Sequence, residues 1–297
     1  MNISKNTSND ELQYLNLISD ILNKGYDVTG RNGNVKAIFG AMMRFDLSNN
    51  SIPILTTKKV AWKTCLKELL WFISGKTDNK VLKNNNVKIW NDNASRDFLD
   101  SRGLQHLEED DLGPVYGHQW RFFNAPYETC ETDYSGKGVD QLQYIIDSLN
   151  DPKERYSRRL IMSAWNPIQI DEMALPPCHV LAQFNVFDND KLSVALYQRS
   201  GDVGLGVPFN IASYAFLTHL IAHHCNLKAT EFVYFLGNAH IYDDHIPILT
   251  QQKNRIPNTP PTLTIKNKYT NINHYSIDDF QINDYSPLSE LKMIMRK

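Results

Sequence analysis

The residue with the most chemical promise is Cys178, which closes the run Leu175-Pro176-Pro177-Cys178 and is followed by His179 at the start of a strand-like segment. A lone cysteine is by default a buried structural residue. Here two prolines directly before it fix the chain and remove backbone donors, presenting the next side chain at the strand mouth. The strand-like runs 179–187 and 192–198 are separated by Asp188-Asn189-Asp190, a turn signal, and read as a hairpin. Folding back at Asn189 brings Cys178 opposite Arg199 or Ser200, within one residue. A guanidinium beside a thiol favours the thiolate, the nucleophilic form. His179 is closer in sequence, but neighbouring strand residues point to opposite faces. The activator is therefore expected to be Arg199.

Glu68 is the second signal, because it sits inside the apolar helical run Leu66–Ile73, where an unpaired charge is costly. One reading makes it a carboxylate at the helix edge or in a salt bridge. The other makes it a carboxyl whose pKa is raised by desolvation and which shuttles protons. The histidines raise a metal reading: His219 and His223 are four apart, and His240 and His245 flank Tyr242-Asp243-Asp244. No HExxH pattern accompanies them, and histidines at this spacing on an apolar helix are commonly packed, so no metal site is expected.

The elements that must position these groups follow from periodicity. Apolar residues at Leu12, Leu15, Ile18 and Leu22 predict a helix over 11–23, with Gly25 just past its end. A Gly/Asn-rich turn at 29–34 precedes a strand at 37–45, and residues 62–74 predict a helix that is apolar nearly all round and hence buried. Segments 91–111 and 124–138, the latter carrying Cys130, read as surface excursions. A helix at 141–149, strands at 160–165, 179–187 and 192–198, a long apolar helix at 210–225 with Asn210 as its N-cap, and a strand at 232–236 complete the core. Prolines around 257–261 lead to a short final strand and tail. Helices and strands mix without strict alternation, so the expected class is α+β in a single domain over 1–297. Residues 1–10 are polar and are expected to form a flexible N-terminal segment.

Composition sets outer limits. The net charge of −2 gives no general polyanion-binding field, so an anionic substrate would have to be held by a few concentrated arginines, and nucleic acid is not required as a partner. No apolar run approaches a membrane span and the N-terminus lacks a signal core. Cys65, Cys130, Cys178 and Cys225 show no CxxC pairing, which fits a reduced cytoplasmic setting.

Several motifs in a consistent order resemble those of thymidylate synthases. The longest is Tyr197-Gln-Arg199-Ser200-Gly-Asp202-Val-Gly-Leu-Gly-Val-Pro-Phe209-Asn210-Ile-Ala-Ser213-Tyr214. Around it stand Pro177-Cys178-His179, Ser157-Arg158-Arg159, Gly113-Pro-Val-Tyr116-Gly117, Glu68-Leu-Leu-Trp71-Phe72 and Ala239-His240-Ile-Tyr242. The resemblance implies a large mixed sheet flanked by helices, and a methyltransferase that converts dUMP to dTMP with 5,10-methylenetetrahydrofolate as carbon and hydride donor. It implies a homodimer in which Arg31, Arg199 and Ser200, with Arg158 and Arg159 of the other subunit, hold the dUMP phosphate. Cys178 would add to carbon 6 of the uracil, Asn210 would read the base edge, and His240 and Tyr242 would bond the deoxyribose hydroxyl. Glu68 would assist proton transfers with Tyr116 in the same network. On the folate side the resemblance implies Asp202 at the pterin, Trp90 and Phe209 nearby, and Lys58 facing the glutamate tail.

Three departures stand out against that pattern. The loop Arg31-Asn-Gly33-Asn-Val-Lys36 is one residue shorter than usual, Asn238 stands where aspartate is common, and the chain ends in Arg296-Lys297 where relatives end in small apolar residues. The excursions at 91–111 and 133–136 resemble eukaryotic-type insertions. The rival readings are a dUMP or dCMP hydroxymethylase of the same superfamily, a silent nucleotide- or RNA-binding homologue, and a metallohydrolase. Asn210 favours uracil over cytosine, and the full set Cys178, Arg199, Asn210 and Glu68 argues against decay. No reductase domain is evident, so dihydrofolate is expected to be recycled by a separate protein.

Overall fold

The computed structural model describes residues 9–30 and 32–296. Arg31, the first eight residues of the segment expected to be flexible and Lys297 of the basic C-terminus lie outside the described residues.

A six-stranded mixed sheet organises the molecule, in the order β1-β2-β6-β5-β4-β3. Its strands are β1 (Tyr26–Gly30), β2 (Gly33–Asp46), β3 (Ile161–Ser163), β4 (His179–Phe187), β5 (Lys191–Asp202) and β6 (Lys228–Tyr242). Every pair is antiparallel except β5 with β6. A parallel pair needs a crossover, and helix α7 (Gly206–His224) supplies it. The remaining helices are α1 (Glu11–Lys24), α2 (Trp62–Ile73), α3 (Asn79–Asn84), α4 (Arg96–Ser101), α5 (Tyr116–Phe122), α6 (Gln141–Asn150) and α8 (Ile246–Gln252). A small sheet pairs β7 (Thr262–Ile265) with β8 (Phe280–Asn283).

Register explains which sheet face is core. Met43, Tyr234, Leu196, Ala182 and Met162 pair in one row across β2, β6, β5, β4 and β3, and all are buried on the side of α7. The neighbouring row points the other way, as a side-chain period of two requires. It holds Met42, Phe235 and Tyr197, which are 53%, 41% and 40% exposed. Helix α7 itself has buried residues all round because it lies between the sheet and α2.

Two expectations need correction. Helix α7 begins at Gly206, so Asn210 lies inside it and is not its N-cap. Pro208 is tolerated in the first turn, where its missing N–H would have no helical partner. Segment 91–111 is not a simple surface excursion: it contains α4, and Leu99, Leu104 and Leu107 are buried in the core. Segment 124–138 is mostly exposed, in keeping with the surface reading, and is anchored by Tyr127 and Tyr134, whose rings stack 5.6 Å apart and both stand edge-on to His118. Gly25 does follow α1, but with φ −68°. Its lack of a side chain matters because a Cβ there would lie 2.4 Å from the Ile21 carbonyl oxygen.

Candidate active site

The β4–β5 hairpin sets the reacting centre. Arg199 N–H donates to the Cys178 carbonyl at 2.9 Å, so the two residues face each other across the hairpin as the turn predicted. The pairing slips between His179 and Leu181, an irregularity that re-aims the strand next to the cysteine. The Arg199 guanidinium folds back on the loop before Cys178, donating through Nε to the Pro177 carbonyl at 2.8 Å and through Nη2 to that of Pro176 at 2.9 Å. It also lies over the Trp165 ring, 5.7 Å from its centroid. The prolines thus contribute acceptors as well as rigidity.

The Cys178 backbone N–H donates to the Tyr116 hydroxyl at 2.7 Å, and that of His179 reaches the same oxygen at 3.4 Å. Tyr116 opens α5 and packs on Phe72 of α2, with ring centroids 4.6 Å apart. His179 turns away from the cysteine into the core, where burial pushes its pKa down to about 3 and keeps the ring neutral.

A chain of side-chain bonds orients Asn210. Tyr234 donates its hydroxyl proton to Gln198 Oε1 at 2.6 Å, which turns the Gln198 amide nitrogen toward the Ser200 carbonyl at 2.8 Å and Asn210 Oδ1 at 3.0 Å. The Asn210 nitrogen then faces His179 Nε2 at 2.8 Å. With the neighbours so fixed, His179 Nε2 must accept and its proton belongs on Nδ1. Gln198 and Tyr234 were not anticipated as site residues. Strand parity carried the signal for Gln198, since it shares a face with the buried Leu196 and is therefore an amide at a core position.

Glu68 accepts the Trp90 indole N–H at 2.7 Å. Burial of its carboxyl pushes the pKa up to about 7, against the pull of that hydrogen bond, which is the raised-pKa reading of the buried helix position. Trp90 in turn lies edge-on to Tyr116, 6.1 Å between centroids.

The parallel strands β5 and β6 end side by side, pairing Ser200 with Asn238 and Asp202 with His240. Asn238 Oδ1 bonds His240 Nδ1 at 3.0 Å, so asparagine holds this ring. The His240 and Tyr242 rings meet edge to face at 5.3 Å. Asp202 accepts from Gly204 N–H at 2.8 Å and lies 3.6 Å from His245 Nδ1. Lys58 is buried, which lowers its pKa to about 8 against the opposing pull of Asp202, and its ammonium donates to the Gly204 carbonyl. Phe209 and Lys58 line a cavity of about 310 Å³ with Lys59, Leu205 and Met293.

Arg158 and Arg159 stand apart from this cluster, exposed, with no ion pair among the described residues. The Arg158 carbonyl accepts from Gln183, five positions along β4 from Cys178, a separation of roughly 17 Å in an extended strand. Of the histidines offered to a metal, His219 bonds the Ser51 carbonyl at 2.8 Å and His223 that of Asn267 at 2.9 Å. Among the described residues no group of three or more potential ligands converges, and no helix is long and apolar enough to cross a membrane.

Comparison with known proteins agrees with this arrangement. A family profile described as "Thymidylate synthase" matches residues 12–297. The chain is 52% identical to "Thymidylate synthase" of Homo sapiens over 286 residues, covering 96% of this chain and 90% of the human one. It is 48% identical to "Thymidylate synthase" of Candida albicans, covering 99% of each. It is also 48% identical to "Bifunctional dihydrofolate reductase-thymidylate synthase" of Zea mays, covering 96% of this chain and 54% of the maize protein, about half its length.

Proposed function

Since the chain belongs to the thymidylate synthase family, we propose that it converts dUMP to dTMP, using 5,10-methylenetetrahydrofolate and releasing dihydrofolate. The observation that carries the reading is the cysteine seat: Cys178 has its carbonyl bonded to Arg199 and its N–H bonded to Tyr116, in a loop held by the same arginine. Addition of the Cys178 sulfur to carbon 6 of the uracil makes carbon 5 a nucleophile toward the methylene carbon of the folate. Loss of the carbon 5 proton expels tetrahydrofolate, which returns a hydride to the exocyclic methylene as Cys178 leaves.

Asn210 suits the uracil edge because its amide both donates and accepts. Glu68, with a pKa near 7, can exchange protons at neutral pH. Arg199 uses two of its N–H groups on the proline carbonyls, and a guanidinium has five, so donors remain for a phosphate. Ser200, His240 and Tyr242 supply polar groups at the ends of β5 and β6, and Arg31 is assigned to the phosphate by resemblance. Asp202, Trp90 and Phe209 form the proposed folate side; Lys58 would have to leave the Gly204 carbonyl to meet a glutamate tail.

We further propose a homodimer formed through the exposed apolar row of the sheet. Arg158 and Arg159 precede β3 and lie beside the part of β4 remote from Cys178, too far to serve their own cysteine, and a second copy would bring them to the neighbouring site. A cytoplasmic setting is proposed on the four free cysteines.

Incubating the protein with dUMP and methylenetetrahydrofolate should produce the absorbance rise of dihydrofolate, and Cys178→Ala should abolish it. Formation of hydroxymethyl-dUMP instead, or no reaction with the unsubstituted protein, would overturn the proposal.

A further inference from the structure

The last described residues run across the ends of β5 and β6 and carry contacts that the proposed reaction does not use. His245 Nε2 donates to the Ile294 carbonyl at 2.8 Å, and Met293 sulfur packs against Gly204, 3.1 Å from where a Cβ would stand. One residue before the chain end, Arg296 Nη2 meets carboxylate oxygens of Asp243 at 3.2 Å and Asp244 at 3.0 Å. Its guanidinium also lies over the Tyr242 ring, 5.9 Å from the centroid. Nη1 comes within 3.8 Å of the Cβ position of Gly33, at the start of β2. Arg296 therefore lies beside the start of β2 while it bonds the residues that follow β6.

We propose that Arg296 is a positioning residue: with Asp243 and Asp244 it forms an ionic clasp that seats the C-terminal segment against the ligand-binding end of β6. This rests on the function proposed above, because it assigns His240, Tyr242 and Phe209, which lines a cavity with Met293, to the ligands. Two features favour a role beyond an ordinary surface ion pair. The guanidinium engages two carboxylates and an aromatic face together, which a single exposed pair does not. Asp243 and Asp244 are also adjacent negative charges following Tyr242, beside the place proposed for an anionic nucleotide. A cation between them reduces both their mutual repulsion and their repulsion of that substrate. The basic end that departs from the family pattern thus has acidic partners in the same molecule.

Charge reversal tests the clasp. Hydrogen exchange of the peptide covering residues 291–296, measured on ligand-free protein, should be faster in Arg296→Ala and in Asp244→Arg. The double variant Arg296→Asp with Asp244→Arg should recover protection, since it restores an opposite-charge pair. In turnover assays Arg296→Ala should raise the KM for methylenetetrahydrofolate roughly three- to tenfold with kcat little changed, the scale of one to two modest ion-pair contacts. The double variant should recover most of that loss. Raising the salt concentration should increase the KM of the unsubstituted protein more than that of Arg296→Ala. Unchanged exchange in Arg296→Ala, or no recovery in the double variant, overturns the clasp whether or not the protein makes dTMP. Altered exchange with an unchanged KM overturns its positioning role. The absence of any turnover in the unsubstituted protein is a failure of the functional reading instead, and leaves the exchange result to decide the clasp.

Discussion

Cys178 depends on two neighbours that act through its backbone, and this gives single residues distinct signatures. Replacing Tyr116 with Phe removes the hydroxyl that accepts the Cys178 N–H. A part-buried donor left without a partner should cost about 1–3 kcal/mol in urea denaturation, and turnover should fall because the cysteine loop loosens. Glu68 carries a pH signature. Its pKa rises from 4.5 to about 7 on folding, so between these values the folded chain holds a proton that the unfolded chain has released. Stability must then fall as pH rises through that window, the reverse of the usual carboxylate in a salt bridge. Glu68→Gln should remove this dependence: its melting temperature should exceed that of the parent at pH 8 and approach it at pH 4.

At the scale of elements, helix α5 is placed by a close backbone contact. A Cβ on Gly117 would lie 2.5 Å from the Lys76 carbonyl oxygen and 2.9 Å from the Gly75 carbonyl carbon, both immobile backbone atoms following α2. Gly117→Ala must therefore push α5 away from α2. The expected loss is about 1–3 kcal/mol by denaturation, with a decline in turnover because Tyr116 moves with the helix. The hairpin of β4 and β5 is the other decisive element. Its turn at Asp188-Asn189-Asp190 and the alternation of its strands were legible in sequence, and they were sufficient to put Arg199 opposite Cys178. The start of α7 was less legible, because the polar Asn210 looks like a cap until Gln198 and His179 are seen to orient its amide, each taking one of its bonding positions.

For the whole molecule, the sheet has one face on the core and an apolar row on the other, the face on which the homodimer is proposed. If Arg158 and Arg159 serve the partner's site, two inactive proteins should complement each other. Cys178→Ala retains both arginines, whereas a double Arg158→Ala, Arg159→Ala variant retains the cysteine. Mixing them under conditions that permit subunit exchange should restore dTMP formation to a level neither shows alone. Persistent inactivity in demonstrated mixed dimers would remove the shared-site proposal.

The amino-acid sequence by itself determined the local pieces and the chemistry-bearing residues. Helical periodicity, strand alternation and the turn beside Asn189 act over a few residues and need no knowledge of distant contacts. The motif order carried the family, and the apolar setting of Glu68 left a raised pKa as one of two readings, which burial decides. Only tertiary structure decided how the polar groups are oriented. The Tyr234–Gln198–Asn210–His179 chain joins α7 with β4, β5 and β6, and each bond depends on the register of strands far apart in sequence. It also decided that residues 91–111 enter the core, because three separated leucines become buried only once the surrounding elements pack. The pairing of Arg296 with Asp243 and Asp244 belongs to the same class: residues about fifty positions apart meet because β6 ends where the chain ends.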